Sequence, residues 1–112
     1  MNNPRLLTVT LTTQNTNYQL SALLAAIDTG FAQAGGVYTR CSRLSIQADN
    51  AGGAAKYFIG NSDISATNFG RGMIATQIEN YGGLPTSVID LTEIWLRSDT
   101  NTALLNITVE FA

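Results

Sequence analysis

The 112 residues predict an all-β fold: one β-sandwich of jelly-roll type with about eight strands. Three observations predict it. Apolar and polar residues alternate with period two in several short runs. Clusters of Gly, Asn, Asp, Ser and Thr interrupt those runs every ~8–12 residues. The length suits one domain, since domains usually hold ~100–200 residues. Residues 1–112 are therefore expected to form a single sandwich with a short N-terminal arm over residues 1–5.

The elements follow in chain order. The arm carries Asn2, Asn3, Pro4 and Arg5. In Leu7-Thr8-Val9-Thr10-Leu11-Thr12 the odd positions are apolar and the even ones are Thr. Side chains alternate across a strand, so Leu7, Val9 and Leu11 face a core. Leu20, Leu23, Leu24, Ile27 and Phe31 then fall at helical spacing and predict a short helix near residues 20–28. Ser21 is its expected cap and Asp28-Thr29-Gly30 its end. Arg43-Leu44-Ser45-Ile46-Gln47-Ala48 alternates cleanly. Asp49 to Gly53 reads as a turn, and Lys56-Tyr57-Phe58-Ile59 as the second arm of a hairpin. Met73 to Ile78 predicts one strand, Val88-Ile89 the start of another, and Glu93 to Arg97 a strong one. Ser98 to Thr102 turns into a final strand where Leu105, Ile107, Val109 and Phe111 alternate with Asn106, Thr108 and Glu110.

Composition restricts function. Charged residues are 12% of the chain, about half the ~25% of ordinary soluble domains. Eight acids and six bases leave a net charge of −2, a poor basis for holding phosphate backbones. With no histidine there is no imidazole base, Ser-His-Asp triad or His metal ligand. Cys41 is the only cysteine, so no intrachain disulfide forms; it is expected to be a buried structural residue. No apolar run nears the ~20 residues that span a bilayer. The N-terminus has no signal-peptide pattern, so synthesis as a soluble cytosolic protein is expected. The outward strand positions carry Thr, Ser, Asn and Gln. Such a surface loses little ion hydration when a neighbour covers it.

Motifs for chemistry are missing. The carboxylates fall in predicted turns or on polar strand faces, with no pair that spacing brings together. Asn61-Ser62-Asp63 lacks the acid density and bidentate Glu of a calcium loop and suits an Asx-turn. Gly70-Arg71-Gly72 is no phosphate loop, because the only lysine is Lys56. Asn106-Ile107-Thr108 matches a glycosylation triplet but sits inside a predicted strand. Tyr57 and Trp95 are expected to pack in or beside the core. Tyr18 and Tyr81 are expected in loops, which leaves a carbohydrate-binding module as an alternative. No metal, cofactor or enzymatic activity is expected.

The run Ala55 to Gly70 (AKYFIGNSDISATNFG) and the run Ile89 to Ser98 (IDLTEIWLRS) resemble a pattern of small tailed-bacteriophage virion proteins. There a strand ending in an aromatic-aliphatic-Gly step leads into a polar loop. Later an Asp-Leu step precedes an aromatic-bearing strand, an Asn/Thr turn and a last alternating strand. The resemblance spans roughly residues 40–111 and is weaker in the N-terminal third. It implies a jelly-roll or sandwich protein of the phage particle, foremost a capsid cement (decoration) protein. It implies the major capsid protein or other virion proteins as partners, a homo-oligomer (trimer before dimer), and a place on the capsid surface after synthesis in the host cytoplasm. Neither nucleic acid nor membrane is an expected partner. The residues expected to touch a partner are Asn2, Asn3, Pro4 and Arg5 of the arm, then Ile64, Asn68, Phe69 and Arg71, then Tyr81, Leu84 and Pro85. A tail, neck or fibre-base protein is the alternative within the particle.

Overall fold

The computed structural model describes residues 4–27, 40–49, 55–65, 67–74, 77–83 and 88–110. Their elements are strands β1 (Pro4–Leu11) and β2 (Tyr18–Gln19), helix α1 (Leu20–Ile27), then β3 (Arg40–Cys41), β4 (Arg43–Ala48), β5 (Tyr57–Gly60), β6 (Arg71–Met73), β7 (Ile78–Gly82) and β8 (Ile89–Asp90). A 3-10 turn (Leu91–Glu93), β9 (Trp95–Ser98) and β10 (Ala103–Glu110) complete the chain.

Two four-stranded sheets face each other. The first runs β1-β10-β4-β7 and the second β2-β9-β5-β6; β3 and β8 form a separate pair. Every pairing is antiparallel. The order describes one long ribbon folded on itself. The chain start β1–β2 pairs with the chain end β9–β10, and β4–β5 pairs with β6–β7, each segment crossing between the sheets. That wrapping is the jelly roll, with eight main strands and one extra two-residue pair.

The register sets the core. On the first sheet Val9, Leu105 and Ala48 lie in one inward row and Leu7, Ile107 and Ile46 in the next. Val9, Leu44, Ile46, Leu105 and Val109 are fully buried. On the second sheet Tyr57, Ile59, Met73 and Leu96 point at them, none above 4% exposure. Each such aliphatic side chain contributes roughly 1.5–3 kcal/mol on burial. The Tyr57 hydroxyl donates to the Leu104 carbonyl at 2.7 Å across the sandwich.

Several sequence expectations are corrected. β4 and β5 are not a hairpin: they belong to different sheets, and alternation marks a strand's buried face without naming its partner. The segment from Met73 to Ile78 is not one strand. β6 ends at Met73 in the second sheet and β7 starts at Ile78 in the first; between them Gln77 N donates to Ile74 O at 3.1 Å, making a corner. Tyr18 and Tyr81 lie in β2 and β7, not in loops. Helix α1 starts at Leu20, so Ser21 is inside it and buried rather than a cap. Leu20 and Leu24 are buried against the core, but Ile27 is 48% exposed. Phe31 and the Asp28-Thr29-Gly30 stop lie outside the described residues.

Candidate interaction surface

Asp90, Asp99 and Cys41 serve the fold. Asp90 Oδ1 accepts from Thr92 N at 2.9 Å and from the Thr92 hydroxyl, capping the 3-10 turn; these bonds hold its carboxyl below the usual range. Asp99 Oδ1 accepts from Lys56 N and from Thr100 Oγ1, tying the β9–β10 turn to the start of β5. Cys41 is buried, and desolvation pushes its thiol up to about 11. Among the described residues no three His, Cys, Asp or Glu side chains gather in a way that could hold a metal ion.

A second, smaller core covers the outside of the second sheet. Phe58 and Gly72 are cross-strand neighbours there, with Arg97 on the other side of Phe58. The polar loop from Asn61 folds back over them. Asn61 Oδ1 accepts from Asp63 N at 2.9 Å, the expected Asx-turn. Ile64 then comes down onto Gly60, where a Cβ would strike it. Phe69 lies over Gly72 and against Phe58, ring centroids 4.9 Å apart. Phe58 and Ile64 are thereby buried to 5% and 3% exposure, outside the main core. Asn17 pins the loop: its Nδ2 donates to Ser62 O and Ile64 O, and its Oδ1 accepts from Arg97 at 3.1 Å. Arg97 Nε is buried beneath this layer with no hydrogen-bond partner.

Beside Phe69 an open groove of about 520 Å³ runs along β6. Phe58, Phe69, Met73 and Ile74 form its apolar walls, and Lys56, Gln77 and Asp99 its polar rim. Phe69 is 44% and Ile74 54% exposed.

The first sheet's outer face is mostly polar and at least partly exposed. Its two central rows read Leu6, Thr108, Ser45, Asn80 and Thr8, Asn106, Gln47, Ile78. None of the eight is charged or buried. Thr8 Oγ1 donates to Asn106 Oδ1 at 3.0 Å. At one end Arg43 and Glu110 pair at 3.4 Å. At the other, Asn106 Nδ2 donates to Asp49 at 3.4 Å.

The residues expected to touch a partner separate into several places. Pro4 and Arg5 do not form a free arm: they begin β1, opposite Glu110 and Val109. Ile64 is a packing residue beneath its loop, which removes it from the contact surface. Asn68 braces that loop, its Nδ2 donating to Asp63 O at 3.1 Å. Arg71 is held by Glu79 at 2.9 Å. Tyr81 is half-buried against the core, and its hydroxyl pKa is raised by burial and by Glu79, against the influence of Arg71. Among those that are described, Phe69 alone offers an exposed apolar surface beside the groove. Asn2, Asn3, Leu84 and Pro85 lie outside the described residues. Thr8, Ser45, Gln47, Asn106 and Thr108 are not among the residues expected from sequence to form one surface. Their alternation with core residues was legible; their union required the register.

No family model matches the chain, and no curated protein does. Among solved structures the chain is similar to the extra small virus (XSV) VLP of the giant freshwater prawn Macrobrachium rosenbergii, determined by cryo-EM. Identity is 9%, the match covers 99% of this chain and 80% of that one, and the TM-score is 0.48. A likeness this distant assigns neither a family nor a function.

Proposed function

We propose that the chain is a non-enzymatic structural protein of a bacteriophage particle: a capsid cement protein that binds between major capsid protein subunits and strengthens the shell. The observation that carries this reading is the exposed Phe69 beside an open, mainly apolar groove, set in a charge-poor jelly roll. An exposed aromatic side chain that becomes buried on binding is a common energetic centre of a protein interface. The resemblance of residues 40–111 to small phage virion proteins supports the same reading, and jelly rolls are an architecture that viral capsid domains use.

The physics of cementing suits such a surface. A protein that binds the assembled shell and not its free subunits stabilises the shell by mass action. Copies on a symmetric lattice multiply weak contacts through effective concentration. The experiment is to add purified protein to phage shells lacking it and follow their thermal disruption. Binding with a raised disruption temperature is expected, and Phe69→Ala should weaken it. Absence of the chain from virions by mass spectrometry, with no binding to shells, would overturn the proposal. A copy number matching one ring rather than the shell lattice would move the protein to the neck, tail or fibre base.

A second reading rests on the same groove. An exposed aromatic ring rimmed by Lys56, Gln77 and Asp99 also has the makings of a sugar site, and lectin domains share the jelly-roll architecture. A glycan array gives signal under this reading and none under the first.

A further inference from the structure

The two sheets of this sandwich treat their outer faces differently. The second sheet covers its own, with Ile64 and Phe69 laid over Gly60, Phe58 and Gly72. The first sheet leaves its outer face partly exposed, with Leu6 76% and Ile78 49% exposed at opposite corners. That face is four strands wide in an unbroken register, and β1 pairs with β10 over eight consecutive residues without a bulge.

We propose that this face packs against the same face of a second copy of the chain. The argument is self-complementarity. Thr8, Ser45, Gln47, Asn80, Asn106 and Thr108 fill the centre of the face. Each carries both a donor and an acceptor, so the surface can satisfy a copy of itself. A charged face would repel its copy. Here Arg43 and Glu110 compensate each other at one end, and Asp49 at the other end already accepts from Asn106. An isologous contact joins identical patches by a two-fold axis and closes as a dimer. Leu6 and Ile78 add apolar contact at two corners of each face.

The area sets the strength. Strands of eight, eight, six and five residues, ~3.4 Å per residue and ~4.8 Å apart, give a footprint of roughly 440 Å² per partner. A standard interface buries ~800 Å² per partner. The dimer is therefore weak in dilute solution, with a Kd of about 10 μM to 1 mM. The inference is independent of the virion reading. A chain that dimerises but is absent from virions keeps this proposal and loses the other, and a virion protein that stays monomeric does the reverse.

The test is sedimentation velocity of the full chain over a concentration series spanning that range. A reversible monomer–dimer shift is expected. Gln47→Glu, which sets an uncompensated carboxylate at the centre of the face, should weaken dimerisation at least tenfold. Phe69→Ala, on the opposite side of the sandwich, should leave it unchanged. A second measurement does not depend on Gln47→Glu folding. Ser45→Cys should give a disulfide-linked dimer under mild oxidation, and Thr67→Cys should not, while Cys41 is buried in both. A monomer at every concentration, a trimer, or association lost in Phe69→Ala and kept in Gln47→Glu would overturn the proposal.

Discussion

Arg71 Nε lies 2.9 Å from Glu79 Oε2, and this ion pair closes one open side of the sandwich. Arg71 is in β6, the edge of the second sheet, in the same row as Ile59 and Leu96. Glu79 is in β7, the edge of the first sheet, in the same row as Ile46 and Ile107. Both rows face inward. The two charges therefore sit where the core layer reaches its margin, beside the corner that carries the chain from one sheet to the other. Their charges meet over the gap between the two edges.

The Arg71–Glu79 pair should be worth little on its own. Its side chains are 49% and 26% exposed, so solvent screens most of the attraction. A double-mutant cycle with Arg71→Gln and Glu79→Gln should give a coupling of ~0.5–1 kcal/mol in urea unfolding, shrinking in high salt. A salt-independent coupling above ~2 kcal/mol would contradict the exposed geometry.

Gly60 is required by Ile64. A methyl group at position 60 would overlap the Ile64 side chain. Gly60→Ala should cost ~1–3 kcal/mol through overpacking. Ile64→Ala should recover part of that loss in the double variant, though harmful alone, because it vacates the contested space. Purely additive losses in chemical denaturation would refute the contact. Gly82 is required by backbone, with φ +75° and the Ser42 carbonyl beside it. Gly82→Ala should destabilise with no side-chain rescue.

Tyr57 and Trp95, on neighbouring strands of the second sheet, should differ in cost. Tyr57 is 1% exposed and bonded to Leu104 O. Trp95 is only half-buried. Tyr57→Ala should lose ~3–5 kcal/mol and Trp95→Ala roughly 1.5–2.5 kcal/mol in urea unfolding. Tyr57→Phe isolates the hydroxyl and should cost ~0.5–1.5 kcal/mol, the net worth of one hydrogen bond, since Leu104 O still accepts from Asp49 N. A larger loss at Trp95 than at Tyr57 would reverse the burial order.

Cys41 should be inert in the folded protein. Burial lifts its thiol from 9.0 to about 11, so at pH 8 almost no thiolate exists to react. Thiol reagents should modify it only as fast as the protein unfolds. The raised value means the folded state prefers the protonated form. Its contribution to stability is complete below pH 9 and is lost as pH rises toward about 11. The unfolding midpoint of wild type should fall over that window, and that of Cys41→Ala should fall less.

Much of the fold was legible as pattern. The alternation of Leu7, Val9 and Leu11, and of Leu105, Ile107 and Val109, marked two strands and the faces they bury. Leu20 and Leu24 marked the inner face of the helix. The turn residues from Asp99 to Thr102 marked the last reversal. Less of the contact surface was legible, for the same reason. A strand's alternation tells which side is apolar, and it is blind to what lies beyond that side. Ile64 read as an exposed loop residue because nothing local shows that the loop doubles back onto Gly60. Pro4 and Arg5 read as an arm because their pairing partners, Glu110 and Val109, lie at the far end of the chain.

The sequence alone determined the class of fold, the neutral polar character of its strand surfaces and, with no histidine, the lack of imidazole chemistry. Those are properties of composition and short-range periodicity, which each segment carries in itself. Only the tertiary structure decided which strands share a sheet. It thereby set Thr108, Ser45, Asn106 and Gln47 side by side on one open face, and laid Phe69 over Gly72 on the other side. The rows of that open face join residues tens of positions apart, and their energy exists only after the chain has closed on itself.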